Sequence, residues 1–311
     1  VRHALTLLLL ALLAAPALAE DGDAQKEKKD SDAARSISFS NRLGLTGFQD
    51  LIDARTPRLV SVRGGVRYDL SVLDQDFDGA LKASRKKEEH QVGLWAAASV
   101  FGLVDVSGRV PYVYRRSENN LKGLAEKVDR DRGWGDFDLA AKVTLNLGGF
   151  AAIAPYVHGR FPTGEPEVEE LMTFEWGVAG TLSLFNDYLA VHGNIAGLNQ
   201  EEGLAAMRFR VGASFVVWSD ELALVRIYGY GDGIEYEGHA RTDLDLEFGA
   251  QALLFGFLSI EAGFSTRLLD SGFLDDSTKK VLREQQGVFD RHFDDDGTWG
   301  LYLSAGVNFT F

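Results

Sequence analysis

The chain has 311 residues, no cysteine, a formal net charge of -14 and a sequence pI near 4.9. The lack of cysteine excludes disulfide staples, thiolate metal sites and cysteine nucleophiles, and the acidity argues against a nucleic-acid binder. Charged residues make up 25% and hydrophobic residues 45%, a balance that fits neither a disordered chain nor a helical membrane protein.

In chain order, Arg2 and His3 precede an apolar stretch from Ala4 to Ala15, followed by Pro16 and Ala17-Leu18-Ala19. A short basic start, an apolar run too short to span a bilayer and an Ala-x-Ala site predict a secretory signal peptide over residues 1–19, and hence export from a bacterial cytoplasm. Residues 20–57 form the next unit. Glu20 to Ser36 is charged and poor in apolar residues, as expected of a periplasmic tail that cannot bury enough surface to fold. The remainder, from Ile37 to Pro57, reads as a short plug or a lead-in strand.

Residues 58–311 carry the fold. About twelve alternating segments follow, each long enough for a tilted transmembrane strand of roughly 9–11 residues. They fall near 59–73, 91–101, 103–115, 134–147, 150–161, 174–185, 188–199, 205–218, 221–232, 242–255, 257–269 and 298–311. In the fourth, Phe137, Leu139, Ala141, Val143, Leu145 and Leu147 share one face; in the tenth, Leu244, Leu246, Phe248, Ala250, Ala252 and Leu254 do. The last runs from Trp299 to Phe311 in strict alternation and ends on an aromatic residue, an edge that a soluble protein would rarely leave open.

Short connections at Gly102, Gly148-Gly149, Asn186-Asp187, Ser219-Asp220 and Gly256 alternate with long ones at 74–90, 116–133, 162–173, 200–204, 233–241 and 270–297. Tight turns at one end and long loops at the other predict an all-β, transmembrane, antiparallel up-and-down barrel of the bacterial outer membrane. An even strand count puts both termini in the periplasm. Tyr112, Tyr114, Phe174, Trp176, Phe185, Tyr188, Trp218, Phe255, Phe257 and Trp299 fall near strand ends, as interfacial girdles would.

If the apolar faces meet lipid, the opposite faces line a lumen. Parity then assigns Arg63, Arg67, Arg109, Asp136, Asp138, Lys142, Arg160, His192, Arg208, Arg210, Arg226, Asp243, Asp245 and Glu247 to the interior. Arg115, Arg267, Asp69, Asp105, Glu175 and Glu261 join them by the same rule. The two signs nearly balance, which suggests interlocking ion pairs rather than a selective anion pore. Arg208 and Arg210, Arg226, and the carboxylates Asp243, Asp245 and Glu247 are expected to form one network at a constriction. No nucleophile elbow or His-Glu-x-x-His sequence occurs, so no catalytic residues and no enzyme activity are assigned. His158 and His192 read as lumenal ion-pair partners, while His239 and His292 fall in loops. Asp290 and Asp294-Asp295-Asp296-Gly297 lack the spacing of a calcium loop, and neither a metal nor a cofactor is expected. A short lid helix over 277–284 is the weakest expectation.

Arg132-Gly133-Trp134-Gly135-Asp136-Phe137-Asp138-Leu139-Ala140-Ala141-Lys142 resembles the Gly-x-Gly-Asp strand opening of the phenol meta-pathway transporter-like family of outer-membrane barrels. Val110-Pro111-Tyr112-Val113 before it and Arg160-Phe161-Pro162-Thr163-Gly164 after it resemble family motifs in the same order. Val191-His192-Gly193-Asn194-Ile195-Ala196-Gly197, and the lead-in from Gly44 to Pro57, extend the resemblance over residues 44–200. The resemblance implies passage of small, often aromatic or hydrophobic, solutes. Resemblance to outer-membrane barrels in general implies that Phe311 belongs to the signal read by the barrel assembly machinery. The expected partners are therefore that machinery, outer-membrane lipid with lipopolysaccharide, and a small solute, with no nucleic acid. A passive channel is the leading reading; a non-conducting structural or assembly barrel with a periplasmic partner is the alternative.

Overall fold

The structure is a computed structural model describing residues 39–42, 45–48, 50–57, 60–78, 83–121, 127–148, 150–168, 172–185, 187–200, 205–236, 242–269, 292–295 and 299–311. The signal peptide, the charged tail to residue 38, His239, residues 277–284, Asp290 and Asp296-Gly297 lie outside the described residues. Two short strands come first, β1 (Gly47–Phe48) and β2 (Leu51–Ile52). The wall follows as β3 (Ser61–Asp78), β4 (Ala83–Val100), β5 (Val104–Leu121), β6 (Lys127–Trp134), β7 (Phe137–Val143), β8 (Leu145–Asn146) and β9 (Ala151–Phe161). It continues as β10 (Thr173–Leu184), β11 (Leu189–Gln200), β12 (Ala205–Ser219), β13 (Ala223–Tyr236), β14 (Thr242–Leu254), β15 (Leu258–Leu269), β16 (His292–Asp295) and β17 (Trp299–Thr310).

β6, β7 and β8 make one stave, so twelve staves pair antiparallel with their neighbours, and β17 pairs with β3 to close the barrel. The strands form where alternation is cleanest, because each buries a polar face inward and leaves an apolar face outward. Leu94, Val211 and Leu303 are 53%, 65% and 54% exposed, whereas Arg63, Arg67, Arg109 and Lys142 are each 1% exposed. A soluble sandwich would show the reverse. This polarity inversion is what hydrocarbon outside and ion pairs inside require.

One rim carries the tight turns. Phe101-Gly102 and Phe255-Gly256 both have positive φ at consecutive residues, the conformation of a type I′ hairpin, in which glycine fills the second site without strain. Leu103 donates to the Val100 carbonyl at 3.0 Å and Phe257 to that of Leu254 at 3.1 Å. At the same rim Phe311 N–H donates to the Val60 carbonyl at 2.8 Å.

At the opposite rim, several stretches expected to be loops are strand. The β3–β4 ladder runs unbroken to Phe77↔Ala83 and the β4–β5 ladder to Ala83↔Leu121. Residues 127–134 pair with β5 instead of forming part of a loop over 116–133. These hairpins rise past the lipid-facing band, where both faces meet polar surroundings and apolar alternation is no longer needed. Asp294 and Asp295, expected in a loop, pair with β3 as part of β16.

Residues 39–42, 45–48 and 50–57 lie within the barrel. β1 and β2 form a hairpin, and its apolar side chains meet the small inward residues of the wall. Leu45, Ile52 and Ala54 cluster with Ala140, Ala152, Ala154, Ala179, Ala196 and Tyr156. Alanine at those inward positions leaves the volume that the insert fills. Leu51 packs with Tyr228, Tyr230 and Tyr302, and Phe39 with Val216, Leu224 and Leu253.

Candidate functional site in the barrel lumen

The insert exposes backbone polar groups to the lumen, and inward side chains satisfy them. Asn194 on β11 accepts from Ile52 N–H at 2.8 Å and donates to the Ile52 carbonyl at 2.9 Å. Thr181 on β10 accepts from Ala54 N–H at 2.9 Å, and Asp105 on β5 accepts from Thr46 N–H at 2.9 Å. Lys142 on β7 donates to the carbonyls of Asp53 and Arg55 and to the Thr46 hydroxyl. Thr144 donates to the Ala54 carbonyl at 2.7 Å, Gln251 on β14 to that of Gly47 at 3.1 Å, and Asp50 N–H to the Tyr230 hydroxyl on β13 at 3.0 Å. Attachment points therefore encircle the insert.

Its own charges are locked as well. Arg55 binds Asp53 through Nε at 3.0 Å and through Nη2 at 2.7 Å, and reaches Asp187 at 2.7 Å and Ser183 at 3.0 Å. Burial pushes the Asp53 carboxyl upward, but the Arg55 guanidinium outweighs it and holds the group well below the usual carboxylate range. For Asp50 burial again acts upward, and Arg42 and Arg208 pull the carboxyl below its ordinary value.

Of the wall residues assigned inward by parity, Arg63, Arg67, Arg109, Asp136, Asp138, Lys142, His192, Arg210, Arg226 and Glu247 are buried. Arg63 pairs with Asp105 and reaches Ser99 at 2.9 Å. Arg67 and Arg109 share Asp69, at 2.8 and 3.2 Å. Asp138 gathers His158 at 3.0 Å and Arg160 at 3.1 Å, while Asp136 is buried at the head of β7. His192 is buried between Thr181 and Ser214, each at 3.1 Å. The side chain of Asp243 lies outside the described residues.

Of the network expected among Arg208, Arg210, Arg226 and the β14 carboxylates, the described pairs run through Asp232 on β13 instead. Arg208 and Arg210 both pair with Asp232, and Arg210 also binds Glu175 at 2.9 Å. Asp245 pairs with Arg267 at 3.0 Å, and Arg226 donates to Gln251 at 2.8 Å and lies 4.5 Å over the Phe39 ring. Register explains the difference. Arg210 faces Asp232 directly, while Arg226 faces Val216 and Gln251, much nearer the tight-turn rim.

On the long-loop side of the insert lies a cavity of about 300 Å³, lined in part by Arg42, Asp50, Asp69, Glu89, Arg208, Asp245, Glu247, Arg267, Trp299 and Tyr302. Asp69, Glu89, Asp245 and Asp50 each have a cationic partner, whereas Glu247 Oε2 is buried without a hydrogen-bond partner. Asp50, Asp232 and Glu247 bring carboxylate oxygens within 4.8 Å of one another. Positive charge at this cluster comes from Arg208, which binds Asp232 and lies 3.5 Å from Asp50, from Arg210 at 3.4 Å from Asp232 and from Arg42 at 3.8 Å from Asp50.

Three of the sequence motifs, at 110–113, 132–142 and 160–164, meet at the head of β7. Gly135 N–H donates to the Pro111 carbonyl at 2.8 Å. Asp136 Oδ1 accepts from Thr163 N–H at 3.1 Å and Gly164 N–H at 2.9 Å, and Phe137 N–H donates to the Thr163 hydroxyl at 3.0 Å. A Cβ on Gly164 would stand 2.9 Å from Asp136 Oδ1 and 3.0 Å from the Trp134 carbonyl, so glycine is required for this approach.

A closed antiparallel barrel with a charged interior and an apolar outer wall defines the class as a β-barrel of outer-membrane type. Among solved structures the chain is similar to an outer membrane channel from Pseudomonas putida F1, with a TM-score of 0.55, 13% identity, and coverage of 83% of this chain and 98% of that one. Similarity is lower to the KdgM porin (TM-score 0.46, 9% identity, 81% and 99% covered). It is lower again to the β domain of the Bordetella autotransporter Brka (0.44, 11%, 80% and 99%). At these identities the likeness is one of fold. No family model and no curated protein matches the sequence.

Proposed function

We propose that the protein is an outer-membrane channel for small solutes whose lumen is closed at rest by residues 39–57. The observation that carries this reading is the insert itself, an irregular peptide held mainly by polar bonds inside a wall of ion pairs. The insert is joined to the wall by side-chain hydrogen bonds and three small apolar clusters rather than by a continuous β-ladder, so it can leave without unzipping the barrel. In this reading the tight-turn rim faces the periplasm and the long-loop rim faces outward.

The cavity above the insert favours a solute with ionised or hydrogen-bonding groups, since its walls are mostly charged. Tyr302 adds a ring face for an aromatic solute, in keeping with the resemblance to the phenol meta-pathway family. The encircling hydrogen bonds to the insert also favour a second reading, a non-conducting barrel in which the insert is a permanent structural core.

Planar-bilayer recording separates the two. The intact protein should show rare, small openings, and a variant lacking residues 39–57 should conduct steadily. If both remain silent while the variant still forms a heat-modifiable barrel, the channel reading fails and the structural one stands.

A further inference from the structure

The outer wall carries a feature unrelated to the lumen. Register aligns Tyr68 with Val92, Val92 with Tyr112 and Tyr112 with Trp134, one outward row across β3 to β6. The Tyr112 and Trp134 rings meet edge to face at 5.5 Å. Aromatic rows of this kind sit where hydrocarbon gives way to headgroups. The next outward row toward the long loops is Leu70, His90, Tyr114 and Arg132, and the one beyond it is Glu88, Arg116 and Arg130, which starts from the buried Val72 on β3.

Residues on one face of a strand are about 6.8 Å apart, and a tilt of about 40° reduces this to about 5 Å along the membrane normal. The two rows thus stand about 5 and 10 Å beyond the girdle, at headgroup depth. Charge does not balance there. Glu88 pairs with Lys86 at 3.2 Å and Glu118 pairs with Arg116. Arg130 and Arg132 are exposed, and among the described residues neither pairs with a carboxylate. Arg116, itself paired with Glu118, faces Arg130 across the β5–β6 ladder, so Arg130 meets a like charge there. This local cationic excess is found on a chain with a net charge of -14.

We propose that Arg130 and Arg132, with Arg116 and Tyr114 beside them, bind a phosphate of a phosphorylated glycolipid of the lipid A class. Guanidinium groups match phosphate oxygens in a bidentate fork, and the aromatic row below gives the acyl chains a surface to lie against. The choice of lipid rests on the reading that the long-loop rim faces the outer leaflet.

The test measures the heat-modification midpoint of the refolded barrel in neutral detergent micelles. Additions are bisphosphorylated lipid A, the same lipid with its phosphates removed, or phosphatidylglycerol. The intact protein should gain about 3 °C or more from bisphosphorylated lipid A over the dephosphorylated form. Arg130→Gln/Arg132→Gln should lose that gain, each single variant should lose part of it, and Lys86→Gln should keep most of it. Equal gains from the dephosphorylated lipid, or an undiminished gain in the double variant, overturn the site. Equal gains from phosphatidylglycerol overturn its assignment to lipid A. Micelles have no sides and conductance is not read, so the outcome is independent of the channel reading and of the barrel's orientation.

Discussion

Asn194 holds both polar groups of a single peptide residue, accepting from the Ile52 N–H at 2.8 Å and donating to the Ile52 carbonyl at 2.9 Å. The side-chain amide thus substitutes for a neighbouring strand, which the two-residue β2 lacks on that side. Asn194→Ala leaves a buried donor and a buried acceptor unsatisfied, at a cost of about 2–4 kcal/mol. The cost falls on the insert's attachment rather than on the wall. Amide hydrogen exchange at residues 51–54 should accelerate at least tenfold while exchange in β11 and β12 stays unchanged. Uniform acceleration across the barrel would mean that the insert and the wall unfold as one unit.

The insert should also respond to acid. Burial raises the Asp53 carboxyl and Arg55 lowers it further than burial raises it, so the folded value lies below the unfolded one of about 3.9. A group depressed in the folded state contributes its full stability above the unfolded value and loses it as pH falls toward the folded value. Asp50, held down by Arg42 and Arg208, acts in the same direction. Through these two carboxylates insert attachment should weaken below about pH 4. Exchange at residues 46–55 against pH reads this directly, and in Asp53→Asn the insert should be looser throughout with a shallower acid response.

The strand spans and inward charges are legible in the sequence because a two-residue period survives wherever one face meets lipid and the other meets ion pairs. Asp232 escapes that reading. It lies in Tyr228-Gly-Tyr-Gly-Asp-Gly233, where the outward positions are glycine and the contrast between faces is lost. Its neighbours Tyr228 and Tyr230 are buried inward all the same, and counting from Arg226 would have placed it. Ion-pair partners are harder to foresee, since Arg208 and Glu175 meet only once register and the insert are both fixed. The insert leaves the faintest trace. Its strands are two residues long, and the alanines that make room for it look like any small residue on a barrel face.

The outward face gives a sharper test of the wall. Leu303 on β17 lies midway along its stave and is 54% exposed, with Ala305 and Leu301 on the same face. Leu303→Arg places a charge in hydrocarbon and should cost about 2–4 kcal/mol if the position is near the midplane. Leu303→Phe should be close to neutral. Denaturant titrations of the barrel refolded into lipid vesicles measure both, and equal effects of the two substitutions would contradict a lipid-facing Leu303.

Asp136 ties the head of β7 to the turn after β9, because its Oδ1 receives the N–H groups of both Thr163 and Gly164. The same turn returns Glu165 N–H to the Trp134 carbonyl at 2.8 Å. Asp136→Ala strands two donors and should destabilise this corner by about 1–3 kcal/mol. Asp136→Asn keeps an acceptor oxygen in place and should recover most of the loss. Gly164→Ala acts on the same contact from the other side, since its Cβ would meet Asp136 Oδ1 at 2.9 Å. The effect should be local. Proteolytic cleavage between residues 161 and 168 should rise in Asp136→Ala and Gly164→Ala, while the heat-modification midpoint moves little. A large fall in that midpoint, with no local gain in cleavage, would show instead that this corner is part of the barrel's global folding unit.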